Sequence, residues 1–467
     1  MPQESSPEST PTASAFYRLP PELIIEIIDA CVETFQTAYG KLDDYVLAQT
    51  LGAFALTSHA FLPHCQSHLL RAITLKTDQS FARFIACLEA SSKRCGDTYG
   101  IGKYVKELAF FEQSGSLNTW LHEAIIRLGP KLPCLSTIAF TNSPMEGLGD
   151  AFYTGLTALP PTITHLRLYF VTFESFEDLS RVILSFPNLQ RLTLDGYGLW
   201  SLMNTPRALP SIHDRSRDQT RCLRSLKQLE VATQMSSSFQ HIVNWMSLMF
   251  RSGTSLEELS VSSHRFDSRD EILSINQLLK QCGLSLRRLK TSITQVDKKL
   301  LETLDVSPAK NLNYFLLKGV ASHIWQLVDI IDALNLLIAN PSCSMTRSIT
   351  SVEFEIHLYK LDRLRRRRGG RRIPLSPPTK VTSPSERALE TLSELDTALA
   401  NPVLDKLKNV VIRFPVGASS MVTAGLDLSD TFPMMKAKAD ARARAGDVNW
   451  FDVRVLNEEG SSWVRLQ

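Results

Sequence analysis

The sequence predicts an α/β chain built as a solenoid: a short helical segment, then parallel strands laid side by side with helices behind them. Three observations lead there. A pattern of apolar, two residues, apolar, one residue, apolar recurs along most of the chain, its first residues falling at 105, 135, 163, 189, 226, 256, 286, 312, 349 and 407. Segments with helical spacing lie between the copies. Residues 17–75 lack the pattern and carry aliphatic side chains at helical spacing instead.

Residues 1–15, MPQESSPESTPTASA, combine a polar composition with no apolar stretch and no basic start. They read as a disordered tail rather than a secretory leader. Residues 16–75 read as a helical domain. Pro20 and Pro21 open its first helix, where a missing N–H costs nothing, and Leu23, Ile24, Ile27 and Ile28 follow. A second helix carries Leu47, Leu51, Phe54, Ala55 and Leu56, and a third Phe61, Leu62, Cys65 and Leu69, with residues 31–46 read as a long link between the first two. Three short helices cannot bury this much aliphatic surface alone, so an apolar face is expected to meet a partner.

From residue 76 to 467 the repeats take over. The copies read Val105-Leu108-Phe110, Leu135-Ile138-Phe140, Ile163-Leu166-Leu168, Leu189-Leu192-Leu194, Leu226-Leu229-Val231, Leu256-Leu259-Val261, Leu312-Phe315-Leu317, Ile349-Val352-Phe354 and Leu407-Val410-Ile412. A weaker copy, Leu286-Leu289, has Thr291 at its third position. The last two positions of each copy share one face of a short strand. Helical stripes lie between: Phe176, Leu179, Val182, Ile183 and Phe186; Ile272, Ile275, Leu278 and Leu279; Ile324, Leu327, Val328, Ile331 and Leu334. Strand and helix alternate, so the strands are expected to run parallel in one sheet. A helix is about 10 Å across and a strand spacing about 4.8 Å, which forces the strands to the inside of a curve. This resembles a leucine-rich-repeat horseshoe, with the sheet on its concave side. The asparagine or cysteine that usually follows the strand is mostly missing, so some turns are expected to be held by other means. A doubly wound enzyme is the competing fold, but no Gly-rich phosphate loop follows an early strand.

The N-terminal helices resemble an F-box. The residues that carry the resemblance are Leu19-Pro20-Pro21-Glu22-Leu23 with Ile27-Ile28, then Leu56-Thr57-Ser58-His59-Ala60-Phe61 and His68-Leu69-Leu70-Arg71-Ala72-Ile73. The resemblance is to the form common in large fungal families with degenerate repeats. It implies a substrate-recognition subunit of a cullin–RING ubiquitin ligase, its F-box binding a Skp-type adaptor and its repeats a protein substrate. Leu19, Pro20, Leu23, Ile24 and Ile27 would join Leu51, Phe54 and Phe61 in the adaptor contact. A repeat scaffold unconnected to ubiquitin ligation is the alternative.

Charge points the same way. The chain has 51 Lys/Arg against 48 Asp/Glu, a net +3. Residues 361–385 hold eight Lys/Arg and one Asp, so the rest is slightly acidic and shows no basic face for nucleic acid. That stretch, with Arg365–Arg368, Arg371 and Arg372, reads as a disordered basic insertion, with nuclear import as its candidate role. No apolar run is long enough for a membrane helix, and the chain is expected in the cytoplasm or nucleus. Eight scattered cysteines, none closer than Cys87 and Cys95, form no zinc ribbon or redox pair and are expected to be small buried side chains.

Catalytic chemistry, cofactor and metal are not expected. Gly96-Asp97-Thr98-Tyr99-Gly100-Ile101-Gly102-Lys103 misses the phosphate-loop spacing by one residue, and Tyr104 stands where a small hydroxyl is needed. His59, His64, Cys65 and His68 lie within the helical segment with no carboxylate near them in sequence. Carboxylates such as Glu257-Glu258 and Glu353/Glu355 sit on repeat strands and are read as solvated or partner-facing.

The substrate surface is expected on the concave face, from the residues between the apolar strand positions: His165, Arg167, Tyr169, Arg191, Gln228, Glu230, Glu258, Arg288, Lys290, Tyr314, Lys318, Glu353, Glu355 and Arg413. The set is mixed in sign, with a basic patch at Arg288 and Lys290 and an acidic one at Glu353 and Glu355. A phosphate backbone would want one sign throughout, so a protein partner is expected.

Overall fold

The computed structural model describes residues 20–38, 44–96, 99–111, 119–196, 223–233, 236–250, 255–263, 269–293, 304–321, 351–358, 393–398, 400, 409–414, 433–444 and 454–455. The tail 1–15, Leu19, the stripe 324–334 and the basic insertion 361–385 lie outside them. The chain divides into two compact units, Met1–Ala72 and Ile73–Gln467.

The first unit is three helices: α1 (Pro21–Ala38), α2 (Asp44–Thr57) and α3 (Leu62–Leu69). Residues 31–38, expected in a link, continue α1, since CVETFQTA contains neither Gly nor Pro to stop it. Ile24, Ile28 and Val32 line one side of α1 and bury against Leu51 of α2 and Cys65 of α3. Leu47, Phe54, Ala55, Phe61 and Leu69 pack around this small core.

The second unit is a leucine-rich-repeat-like solenoid in an α/β arrangement. Strands β1 (Ala72–Leu75) and β2 (Glu107–Phe111) flank α4 (Asp78–Cys95) in the chain. Then come α5 (Thr119–Leu128), β3 (Thr137–Thr141), α6 (Asp150–Thr157), β4 (His165–Tyr169), α7 (Phe176–Leu184) and β5 (Arg191–Asp195). The alternation continues with β6 (Gln228–Thr233), α8 (Ser236–Met249), β7 (Glu258–Ser263), α9 (Arg269–Cys282), β8 (Arg288–Ile293), β9 (Tyr314–Ala321), β10 (Ser351–Leu358) and β11 (Asn409–Phe414). Helix α10 (Pro433–Arg444) precedes the last strand, β12 (Arg454–Val455). All twelve strands lie in chain order in one sheet, and the described pairings are parallel.

Register turns the repeat into columns. Leu108, Ile138, Leu166, Leu192, Leu229, Leu259, Leu289 and Phe315 are successive partners across β2–β9. A slip of one residue would turn every one of these side chains to the opposite face. All are buried, as are the first-position residues Val105, Leu135, Ile163, Leu189, Leu226, Leu256, Leu286 and Leu312. They join Leu179, Val182, Ile183 and Phe186 from α7 and its end, and Ile275, Leu278 and Leu279 from α9, in one continuous core. The helices therefore cover one face of the sheet. Helix ends follow local chemistry: Thr77 and Ser80 cap α4 reciprocally, and the Ser175 hydroxyl accepts from the Asp178 N–H at the start of α7.

The turns are held by a ladder of short polar side chains. The residue just before the first apolar position is Thr162, Asn188, Ser225, Ser255, Ser285 or Asn311 in six copies, and each donates to a carbonyl of the preceding repeat. Thr162 Oγ1 reaches Leu135 O at 2.7 Å, Asn188 Nδ2 reaches Pro161 O at 2.9 Å and Ser225 Oγ reaches Leu189 O at 3.1 Å. Ser255 Oγ reaches Arg224 O at 2.7 Å, Ser285 Oγ reaches Leu256 O at 2.8 Å and Asn311 Nδ2 reaches Leu284 O at 2.7 Å. These bonds satisfy carbonyls left over where the chain turns into the next strand. After β3, β4 and β5 the backbone takes positive φ at Asn142, Phe170 and Gly196.

The cysteine expectation needs correction. Cys65 and Cys282 are buried, but Cys87 and Cys134 are exposed. The apolar stripe of α4 is carried by Phe81, Ile85 and Leu88, which leaves Cys87 on its outer side. Among the described residues no helix is long and apolar enough to cross a membrane.

Candidate interaction surfaces

On α1 the apolar side chains split into two stripes. Ile24 and Ile28 point inward; Leu23 and Ile27, each 44% exposed, form a second stripe on one flank of them, and Ile25 is exposed on the opposite flank. Val46 and Leu56 of α2 are also exposed, Leu56 at 90%. Pro20 is exposed before the first turn. Ile24 and Leu51, expected at the adaptor contact, are instead 4% and 1% exposed. They belong to the unit's own core, because a three-helix unit must commit part of its aliphatic surface to itself. Phe54 and Phe61 are half-buried against that core.

Helices α1 and α3 also bring together groups that are far apart in sequence. His64 and His68 both reach Asp29 on α1, a carboxylate the sequence reading missed because it lies 35 residues before His64. Cys65, next to His64, is turned into the core, and burial pushes its thiol pKa up. His59 is exposed.

In the solenoid, the sheet face opposite the helices carries the polar strand positions. On β4, Arg167 Nη1 donates to Glu107 Oε1 of β2 at 2.7 Å, and its Nε donates to His165 Nε2 at 3.3 Å. Accepting that bond places the His165 proton on Nδ1. Desolvation, with Arg167 and Arg191 adding repulsion, lowers the His165 pKa to about 4, so the ring is neutral at pH 7. Tyr169 is half-buried and burial raises its phenol pKa. Burial, then the neighbouring Glu230, raises the Asp195 pKa. Thr193 Oγ1 donates to Glu230 Oε2 at 3.3 Å.

Further along, Glu258 of β7 is a hub. Lys290 Nζ lies 2.5 Å from its Oε1 and Arg288 Nη1 3.6 Å from its Oε2. Gln228 Nε2 donates to Oε2 at 3.3 Å. The Arg288 guanidinium sits 4.7 Å from the centre of the Tyr314 ring. The basic patch expected at Arg288 and Lys290 is thus two cations sharing one carboxylate. Glu353, Glu355, Lys318 and Arg413 are placed by register alone: Glu355 is the partner of Lys318 on β9 and of Arg413 on β11. Glu107, Thr193 and Asp195 are further members of this face. Glu107 was readable from the repeat frame, since it precedes Leu108 as His165 precedes Leu166.

The described glycines of the glycine-rich stretch have structural roles. Gly96 ends α4 in the left-handed conformation, and Gly100–Tyr104 forms one tight turn leading into β2. Gly102 is buried directly against the backbone of Lys131.

The chain is therefore a leucine-rich-repeat-like solenoid with a polar, internally paired sheet face, and a separate three-helix unit with exposed aliphatic side chains. No family model matches the chain, and no curated protein matches it. Among solved structures, the leucine-rich-repeat-containing protein LegL7 from Legionella pneumophila is similar over 77% of this chain and 92% of its own, at 13% identity and a TM-score of 0.38. A protein from Bacteroides fragilis is similar over 61% of this chain and 73% of its own, at 11% identity and a TM-score of 0.34.

Proposed function

We propose that this chain is a non-enzymatic protein-binding subunit in which the three-helix unit docks a Skp-type adaptor of a cullin–RING ubiquitin ligase and the solenoid holds a protein substrate. The observation that carries the reading is the second stripe of α1. Leu23 and Ile27 remain exposed side by side, while the same helix buries Ile24 and Ile28 within its unit. Exposed aliphatic side chains of this density on so small a unit are a docking surface for an apolar partner. The F-box-like residues Pro20-Pro21-Glu22-Leu23 and Leu56–Phe61 suggest which partner. On the sheet face, alternating charge favours a protein ligand over nucleic acid, and Tyr169, Arg191 and Tyr314 are the anchor candidates by residue type.

Co-expression of the full chain with a Skp-type adaptor tests the docking half. A stable complex is expected, weakened at least about tenfold by Leu23→Ala with Ile27→Ala, since anchors of this kind typically contribute about 2 kcal/mol or more. No complex with the unaltered chain would leave the solenoid as a scaffold without the ligase. The substrate half is tested by Tyr169→Ala with Arg191→Ala, which should reduce substrate capture while adaptor binding persists.

A further inference from the structure

Asp29 of α1 faces His64 and His68, which stand four residues apart on α3 and so share one side of that helix. Both Nε2 atoms approach the same oxygen, Asp29 Oδ1, at 2.9 and 2.8 Å. The two rings meet edge to face with centroids 4.9 Å apart. One donor atom from each of the three residues lies within 4.8 Å of the other two. The histidines are mostly covered and Asp29 is half open to solvent, so the cluster has a closed side and an open one.

We propose that Asp29, His64 and His68 form a divalent transition-metal site, with zinc as its fitting ion, that clips α1 to α3. The donor set selects the class. Imidazole suits zinc and its neighbours in the first transition row, whereas magnesium and calcium take oxygen ligands. Two imidazoles and a carboxylate leave a fourth tetrahedral position, and the open side admits water there. Ligands about 2.0–2.1 Å from a tetrahedral zinc lie roughly 3.3 Å apart. The observed separations of 2.8 and 2.9 Å need to widen by about half an ångström, a small rotation of the Asp29 carboxylate. Without metal, both rings aim an Nε2–H at one oxygen. With metal, the neutral rings carry their proton on Nδ1 and give the Nε2 lone pairs to the ion.

The packing supplies the reason for such a clip. Among the described residues the buried core of the unit is Ile24, Ile28, Val32, Leu51 and Cys65, little for three helices. Any ion that binds the folded unit and not the unfolded chain adds to its stability. Asp29 and the two histidines come from different helices, so the ion bridges elements whose shared core is this small.

The test is direct metal titration of the chelator-stripped full chain. Zinc is titrated against a chromophoric competitor, and cobalt is followed by its visible absorbance, intense when the ion is tetrahedral. One zinc equivalent at micromolar or tighter affinity is expected, with magnesium inert at millimolar concentration. His64→Gln with His68→Gln can keep hydrogen bonds to Asp29 but loses the imidazole ligands. It should weaken zinc by at least about tenfold, as should Asp29→Ala, since losing even an outer-shell partner commonly costs ten- to hundred-fold. His59→Gln should leave affinity unchanged, and circular dichroism checks that each variant keeps its helices. Equal zinc affinity in the unaltered chain and the double glutamine variant, or no binding at tens of micromolar zinc, would overturn the site. Adaptor capture is measured separately, so failure here does not touch the docking proposal.

Discussion

Arg167 on β4 reaches across the whole width of β3 to pair with Glu107 on β2, Nη1 to Oε1 at 2.7 Å. Its register partner on β3 is Ala139, a small buried residue that leaves the path clear. Two charges 60 residues apart in the chain but two strands apart in space thus depend on a methyl group between them.

That dependence is measurable. A double-mutant cycle on Arg167→Ala and Glu107→Ala should give a coupling of about 0.5–1 kcal/mol that weakens with salt, as for other partly exposed pairs. In an Ala139→Leu background the coupling should vanish. An unchanged coupling there would mean the pair does not pass over residue 139.

His165 should make the solenoid sensitive to acid. Its folded pKa, about 4, lies below the unfolded value of 6.5. Between these values the unfolded chain takes up a proton that the folded chain refuses, so stability falls as pH drops through this window. Above the unfolded value the two states bind alike and the effect is absent. Ring-proton resonances should show His165 neutral at pH 5, and His165→Gln should flatten this part of the stability profile.

Gly196 is expected to resist substitution. Its φ is +129°, and an added Cβ would lie 2.6 Å from the Phe170 nitrogen. Gly196→Ala should therefore destabilise by more than about 1 kcal/mol, since alanine at positive φ adds strain to the clash. Denaturant melting reads this as a lower midpoint; a midpoint equal to that of the unaltered chain would refute it.

The polar ladder can be tested one rung at a time. Ser285 Oγ bonds Leu256 O at 2.8 Å and Cys282 O at 3.0 Å. Ser285→Ala should cost about 1 kcal/mol with an unchanged denaturant slope, the usual net value of a partly buried hydrogen bond. Ser67 on α3 is a suitable comparison, since its hydroxyl bonds His64 O within its own helix and bridges no repeats. Ser67→Ala should leave the melting of the solenoid where it is; a cost equal to that of Ser285→Ala would mean the rungs have no special weight.

The repeat, the strand frame and the helical stripes were legible in the order of residues, because burial on one side of a strand or helix imposes a period that residues 105–315 display directly. The change of period put the end of the helical segment after residue 75, whereas Ala72–Leu75 already form β1 and the units divide after Ala72. Residues that share no period met in ways the chain order did not disclose. The rungs from Thr162 to Asn311 were visible as letters, yet their partners are carbonyls of the previous repeat and exist only once the strands stack. The division of α1 into a buried stripe at Ile24 and Ile28 and an exposed one at Leu23 and Ile27 depends on where α2 and α3 come to lie, since both stripes are equally apolar. The same holds for Asp29 with His64 and His68, and for Glu258 with Arg288 and Lys290. Charge pairing acts over a few ångströms of space, and only folding sets those distances between residues remote in sequence.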